Sequence, residues 1–316
     1  MALTDAKLNR IHRFGAVQRV MGILLMIFSL TMLPPMAVSW LYADGTAPAF
    51  ALALSINVVL GALTWWPVRH SRAELKIRDG FLVTVLFWMV LGVSGAIPLY
   101  VADQPGLTIP QAVFESISGL TTTGATVIVG LDGLPKALLY YRQQLQWFGG
   151  MGLVILAIAI LPMLGVGGMQ LYRAESLGPV KDTKLTPRLV ETARALWLIY
   201  LSLTIACAVA YRWAGMDWFD AIGHAFATVS TGGFSTHDAS IAYFDSAIIE
   251  LICIAFMVIG AVNFGLHFVA FRSRSITGYW SDPEFRVFIG IIAAATLGIT
   301  ALLMLTGTYW GFEAPL

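Results

Sequence analysis

Residues 109–126 read IPQAVFESISGLTTTGAT, an apolar stretch of twelve residues followed by a loop of threonine, glycine and alanine. A second stretch of the same kind, residues 218–236, reads WFDAIGHAFATVSTGGFST. Twelve helical residues cover about 18 Å, whereas the hydrocarbon core of a bilayer is about 30 Å thick. Each apolar stretch, Ile109–Leu120 and Trp218–Val229, is therefore predicted to be a half-helix that enters a membrane and returns as extended chain.

These two stretches indicate an internal repeat. An alignment that places Gly124 on Gly232 also places Thr123 on Thr231, and each stretch lies between two longer apolar segments. The unit helix–half-helix–loop–helix is thus predicted twice, over Phe81–Met163 and Leu189–Phe271. Repeats of this kind surround a common binding site in many transport proteins.

The composition of the whole chain supports a membrane protein. Of the 316 residues, 58% are hydrophobic and 12% are charged, and the mean hydropathy is +0.78; soluble domains carry about 25% charged residues. The net charge of +1 leaves no basic surplus for nucleic acid, and two cysteines exclude a disulfide scaffold. Continuously apolar runs also exclude the alternating strands of a barrel. The predicted class is an all-α polytopic membrane protein.

Seven segments are long and apolar enough to cross a bilayer as helices. They are Val20–Tyr42, Pro48–Trp66, Phe81–Ala102, Ala137–Met163, Leu189–Trp213, Ser246–Phe271 and Phe285–Thr306. If the N-terminus is cytoplasmic, 16 of the 19 lysines and arginines lie on the inner side, as the positive-inside rule requires. The C-terminus then lies outside. The outer side carries ten acids against three bases, an excess that either attracts cations or merely reflects the absence of bases.

The loop composition points to a carbonyl-lined cation pathway. Glycine provides the backbone freedom to turn successive carbonyls toward one axis, and a ring of carbonyls can replace the hydration shell of a monovalent cation. The C-terminus of each half-helix adds partial negative charge. No carboxylate lies within either loop, which favours a weakly hydrated cation over Mg²⁺ or Ca²⁺. The alternative is a pair of ordinary outer loops with turn residues.

Several polar residues in the apolar segments have two interpretations each. Glu115 is either a carboxylate near the pore or an acceptor for backbone N–H groups behind the loop. Arg142 either repels anions or braces the loop by pairing with Glu115 or Asp132. His224 is expected to be a packed half-helix residue, and His237 a surface residue beside the outer vestibule. Neither histidine has a second ligand at metal spacing, so no zinc site is expected.

Four stretches together resemble the Trk/Ktr family of potassium-uptake proteins, and within it the TrkH type of membrane subunit, over nearly the whole chain. They are residues 114–126 (FESISGLTTTGAT), 146–152 (QWFGGMG), 167–175 (GGMQLYRAE) and 232–238 (GGFSTHD). The resemblance implies potassium uptake across the bacterial inner membrane. An enzyme is not expected, because the sequence shows no nucleophile–base pair, metal cluster or phosphate-binding loop. The resemblance also implies a fold of four pore-loop units around one pore, with two extra helices before them.

The family's properties carry over to particular residues. Backbone carbonyls of Thr122, Thr123, Gly124, Ser230, Thr231 and Gly232 are implied to bind K⁺, with no other cofactor. The implied partners are a second copy of the chain and a cytoplasmic nucleotide-binding regulator of the TrkA kind. The inner stretch between residues 165 and 188 is either a docking surface for that regulator or a connector. Arg173, Lys181 and Lys184 are the candidate contacts within it.

One departure from the family pattern is that this chain contains two pore loops where the family has four. The expected organisation is residues 1–78 as the extra helix pair, 79–164 and 189–272 as two pore-loop repeats joined by 165–188, and 273–316 as the start of a third repeat. An incomplete chain is the expected explanation. Two other functions stay open: a symporter that couples K⁺ to H⁺ or Na⁺, and a non-conducting structural subunit.

Overall fold

The computed structural model describes residues 2–70, 77–164 and 186–307, and within these ranges all regular structure is helical. The predicted all-α membrane class is confirmed. Twelve helices are labelled here in chain order. They are α1 (Ala2–Ser29), α2 (Leu33–Tyr42), α3 (Ala47–Trp65), α4 (Ile77–Val101), α5 (Ile109–Leu120), α6 (Lys136–Leu164), α7 (Thr186–Trp213), α8 (Trp218–Val229), α9 (Ala247–Ala261), α10 (Phe264–Ser273), α11 (Thr277–Ser281) and α12 (Pro283–Leu305).

Five helical segments of the described ranges are long and apolar enough to cross a membrane, and each coincides with a predicted crossing. They are Phe14–Tyr42, Ala47–Val68, Asp79–Val101, Ala193–Trp213 and Pro283–Leu305. The predicted crossing Ala137–Met163 coincides with α6, a helix of 29 residues.

The sixth predicted crossing, Ser246–Phe271, is wrong as a continuous helix. The structure breaks it into α9 and α10, which meet at an angle of 92°. Val262 takes an extended conformation at the break. The side chain of Asn263 then accepts a hydrogen bond from the backbone N–H of Gly265 at 2.9 Å, which starts α10 as a new helix. Hydropathy could not reveal this break because the two helices together are still long and apolar enough to pass as one span.

Both half-helices form at the predicted residues, as α5 and α8, with twelve residues each. Their starts are fixed by side-chain caps. Thr108 and Gln111 form a capping box at α5, and the carboxylate of Asp217 accepts a hydrogen bond from the N–H of Asp220 at α8. A stop at twelve residues leaves each helix too short to cross the bilayer, so the loop after it starts inside the membrane.

Helix α6 occupies the centre of the described structure. It packs against α2, α4 and α5 on one side and against α7 and α8 on the other. Two clusters of buried apolar side chains flank it, and α6 supplies Leu138, Leu139 and Leu145 to the first and Met151 to the second. The two half-helices therefore share one supporting helix.

Asp44 joins the N-terminal helices to the first repeat. Its carboxylate accepts hydrogen bonds from the hydroxyls of Ser39 and Thr46, and from the backbone N–H of Ala137 at the start of α6, at 2.5, 2.8 and 2.8 Å. Partial burial alone would raise the pKa of Asp44, but these hydrogen bonds outweigh it and hold the pKa below its usual value.

Asp44→Ala is expected to lower the free energy of unfolding by about 1–3 kcal/mol, because several donors lose a charged acceptor. The folded-state pKa of Asp44 lies below its unfolded value, so its contribution is present at neutral pH and is lost as the pH falls through the folded-state pKa. Thermal unfolding in detergent, measured across pH, checks both points. Asp103→Ala, at an exposed turn residue, is the control and should leave the midpoint unchanged. Equal midpoints for the two variants would contradict the assignment.

Candidate functional site

The two loops that follow the half-helices touch each other at their glycines. A Cβ atom placed on Gly124 would lie 2.0 Å from the carbonyl oxygen of Gly232, an overlap that no side chain could tolerate. Gly124 also has φ +75°, which favours glycine. The loops thus meet backbone to backbone, as a shared carbonyl-lined site requires.

The register of the structural repeat differs by one position from the alignment of Gly124 with Gly232, which is therefore wrong. Helices α5 and α8 have equal length and match from their first residues. The turns after them match in the same register, since the N–H of Thr123 donates to Ser118 O at 2.9 Å and the N–H of Gly232 donates to Ala227 O at 2.8 Å. The second loop contains two glycines in a row, and matching the first of them to Gly124 produced the error.

Among the predicted site residues, this register moves the second triplet by one position. Thr122, Thr123 and Gly124 correspond to Thr231, Gly232 and Gly233. Ser230 instead ends α8, where its hydroxyl donates to Ala227 O at 3.2 Å.

Both loops begin with a threonine in a strained backbone conformation. Thr122 and Thr231 each have φ +53°, in the left-handed region that β-branched residues avoid. Such a conformation costs about 1–3 kcal/mol and persists only where the surroundings impose it. Its recurrence at equivalent positions indicates that each half-helix must end in one particular turn, which sends the chain away from the helix axis.

A buried ion pair holds the first loop. Arg142 and Glu115 are about 1% and 0% exposed, and Arg142 Nη2 lies 2.7 Å from Glu115 Oε1. Glu115 also accepts hydrogen bonds from the Thr126 hydroxyl at 2.9 Å and from the N–H of Val127 at 3.1 Å. Of the two pairings considered for Arg142, the structure shows Glu115 and not Asp132. Glu115 lies behind the loop and accepts hydrogen bonds from loop residues.

In the second repeat a histidine occupies the position of Glu115. His224 stands at the equivalent place in α8, is buried, and its Nε2 is 2.9 Å from the Ser235 hydroxyl, which corresponds to Thr126. Its Nδ1 is 2.8 Å from the carbonyl oxygen of Asp220. His224 is packed in the half-helix, as expected, but sequence reasoning missed its contact with the loop. Aligning the two half-helices from their N-terminal caps would have matched His224 to Glu115 and so predicted this contact.

Side chains of α6 also reach the second loop. Gln146 Oε1 accepts a hydrogen bond from the N–H of Phe234 at 3.0 Å, and Arg142 Nη1 donates to Ser235 O at 3.3 Å. The Arg142 guanidinium also lies over the Phe234 ring, 4.4 Å from its centroid. Sequence reasoning did not single out Gln146. Its position one helical turn after Arg142 was the available signal, because residues i and i+4 share a helix face.

The outer ends of the two loops are joined by carboxylates. Asp238 accepts from the N–H groups of Gly130 and Leu131, both at 3.0 Å, and His237 lies between Asp132 and Asp220. The hydrogen bond from His237 lowers the pKa of Asp132. His237 is buried under Tyr243, so the expectation of a surface residue is wrong. Many of the outer acids therefore have structural partners.

The carbonyl at the end of each half-helix packs against the next long helix. A Cβ on Gly149 would lie 1.9 Å from Leu120 O, and one on Gly260 would lie 2.6 Å from Val229 O. These glycines let α6 and α9 approach the half-helix ends closely.

Arg173, Lys181 and Lys184, the candidate regulator contacts, lie outside the described residues.

Comparison with known proteins adds three findings. A family model described as TrkH, cation transport protein, matches residues 46–312. The chain is 60% identical over 293 residues to the Trk system potassium uptake protein TrkH of Halomonas elongata and 55% identical over 296 residues to that of Escherichia coli K12. A crystal structure of the potassium transporter TrkH from Vibrio parahaemolyticus matches 95% of the chain, with TM-score 0.83 and 52% identity. The chain spans 61% of the length of each of these three proteins.

The ion pair behind the first loop predicts a non-additive mutant cycle. Glu115→Leu should lower the free energy of unfolding by about 3–5 kcal/mol, because it leaves the Arg142 charge buried and unpaired. The double variant Glu115→Leu/Arg142→Met should be more stable than Glu115→Leu alone. Arg212→Met, at an exposed arginine, is the control. Additive unfolding energies, measured in detergent, would show that the two charges do not depend on each other.

Proposed function

This chain belongs to the TrkH family of cation transport proteins, and on that premise we propose that it conducts potassium into the cell across the bacterial inner membrane. The observation that carries the proposal is the contact between Gly124 and Gly232, which places two Thr/Gly loops at one site. Relatives at 55–60% identity are named as potassium uptake proteins. Their greater length makes the uptake activity of this chain a proposal.

In the proposed mechanism, backbone carbonyls replace the water around K⁺. The carbonyls belong to Thr122, Thr123 and Gly124 in the first loop and to Thr231 and Gly232 in the second, with Gly233 in place of Ser230. Neither loop carries a carboxylate, so the site suits a monovalent ion with a weakly held hydration shell. The K⁺ ion is the transported substrate.

The driving force we propose is the membrane potential. It contributes about 2.3 kcal/mol per charge per 100 mV. The distribution of lysine and arginine supports a cytoplasmic N-terminus and loops on the outer side, where K⁺ would enter. We also propose a second copy of the chain and a TrkA-like cytoplasmic regulator as partners, with the domain division given above.

A coupled symporter is less well supported than a channel-like pathway. Coupling to protons needs a titratable group in the pathway, such as Glu115 or Glu250. The carboxylate of Glu115 is bound to Arg142, Thr126 and the backbone of the loop. These contacts give Glu115 a role in holding the first loop.

Gly124→Ala tests the proposed pathway. The added methyl group overlaps the Gly232 carbonyl and strains a left-handed residue, an expected cost above about 1.4 kcal/mol, so rubidium uptake should fall at least about ten-fold. The matched control is Gly133→Ala, because a Cβ at Gly133 meets no atom within 4 Å. Both are expressed from the complete reading frame in a bacterium that lacks its own potassium uptake.

Growth on low potassium and rubidium uptake are the two measurements. Growth restored by the unmodified chain and by Gly133→Ala, but not by Gly124→Ala, supports the pathway. Correctly inserted protein that restores neither growth nor uptake in its unmodified form would favour the non-conducting structural subunit.

A further inference from the structure

We propose that Gln146 and Gln143 on α6, in the first repeat, are specificity-determining positioning residues for the ion-binding loop of the second repeat. The inference rests on the proposed function, since it names residues that shape the same site. Both glutamines are fully buried, and neither belongs to the loop that it contacts. Their partners are two backbone groups of one residue, Phe234.

The contacts are directional. Gln146 Oε1 accepts from the N–H of Phe234 at 3.0 Å, and Gln143 Nε2 donates to the carbonyl oxygen of Phe234 at 3.5 Å. Arg142 continues the series by donating to the next carbonyl, Ser235 O, at 3.3 Å. Three polar groups of the loop backbone are therefore hydrogen-bonded to side chains from one face of α6.

In the first loop, the equivalent backbone carbonyl is bound by a residue of the same repeat. This carbonyl is that of Ala125, which accepts a hydrogen bond from the Ser118 hydroxyl of its own half-helix at 2.6 Å. The position of Ser118 in the second half-helix is occupied by Ala227, which has no hydroxyl. Gln143 supplies the donor that Ala227 cannot.

These bonds determine where the set of free carbonyls ends in each loop. The carbonyls of Ala125 and Phe234 are occupied by these hydrogen bonds, so Gly124 and Gly233 are the last residues in each loop whose carbonyls the bonds leave free. Gln146 also packs against the site itself, since a Cβ on Gly232 would lie 2.4 Å from the Gln146 Cδ. The same side chain borders the first loop, since a Cβ on Gly124 would lie 3.8 Å from Gln146 Nε2.

Ion discrimination depends on this support because K⁺ and Na⁺ differ in size and in hydration. Whether selectivity comes from the fit of the cage or from the number of carbonyls, a loop that can relax toward a smaller ion discriminates less. Loss of a brace on the second loop should therefore lower the preference for K⁺ before it abolishes transport.

The experiment compares neighbouring glutamines of the same helix. Gln146→Leu removes the acceptor for the N–H of Phe234, whereas Gln144→Leu removes a donor to Thr31 O, at 2.7 Å, in the segment between α1 and α2. Each variant is expressed from the complete reading frame, and rubidium uptake is measured with and without competing Na⁺. Gln146→Leu should lower the Rb⁺/Na⁺ preference about two- to ten-fold, the factor that matches one hydrogen bond. Gln144→Leu should leave the preference unchanged.

A rescue design keeps the test informative if Gln146→Leu does not assemble. Gln143→Leu should lower the Rb⁺/Na⁺ preference in the same direction. Adding Ala227→Ser should restore it, because the new hydroxyl stands where Ser118 stands in the first repeat and can donate to Phe234 O. Restoration by a residue on a different helix is not expected if Gln143 serves only to keep α6 folded.

The outcomes separate the two proposals. An unmodified chain that inserts correctly but shows no Rb⁺ uptake overturns the proposed function. A selective unmodified chain whose preference survives both Gln146→Leu and Gln143→Leu overturns only the positioning role. An equal loss of preference in Gln144→Leu also overturns it, because the effect would then reflect general disturbance of α6.

Discussion

The structure depends on one constraint: backbone polar groups inside a membrane need partners within the protein. Two half-helices end after twelve residues, and the chain that follows cannot continue the helical hydrogen bonds. Each loop therefore needs external donors and acceptors, and α6 supplies many of them. Its central position between the half-helices follows from this requirement. In the proposed pathway, carbonyls that find no such partner are the ones that bind the ion.

The two repeats meet this constraint by different chemistry. The first loop is held by Ser118 and Glu115 of its own half-helix, with Arg142 balancing the charge. In the second, His224 reaches the Ser235 hydroxyl, and α6 supplies the contacts to the backbone. A pseudo-symmetric backbone is thus stabilised by unlike side chains. The repeat is visible in helix lengths and turns more clearly than in residue identities.

At the outer ends of the loops, negative charge serves structure as well as attraction. Asp238 binds two backbone N–H groups of the opposite loop, and Asp132 and Asp220 share His237. Asp217 caps a half-helix. These carboxylates are therefore held at fixed positions and maintain the contact between the loops.

Hydropathy and local residue preferences were enough to predict the helical class, most of the crossings, and both ends of each half-helix, because membrane thickness and capping act on short segments of chain. The break at Asn263 escaped them, since the segments on its two sides together pass as one apolar span. The register of the repeat escaped them too, because adjacent glycines align equally well in two ways. The contact of Gly124 with Gly232 and the hydrogen bond of Gln146 with Phe234 each join a residue of the first repeat to one of the second. Such contacts depend on how the helices pack in three dimensions. A single sequence does not directly show which distant residues lie close together in space.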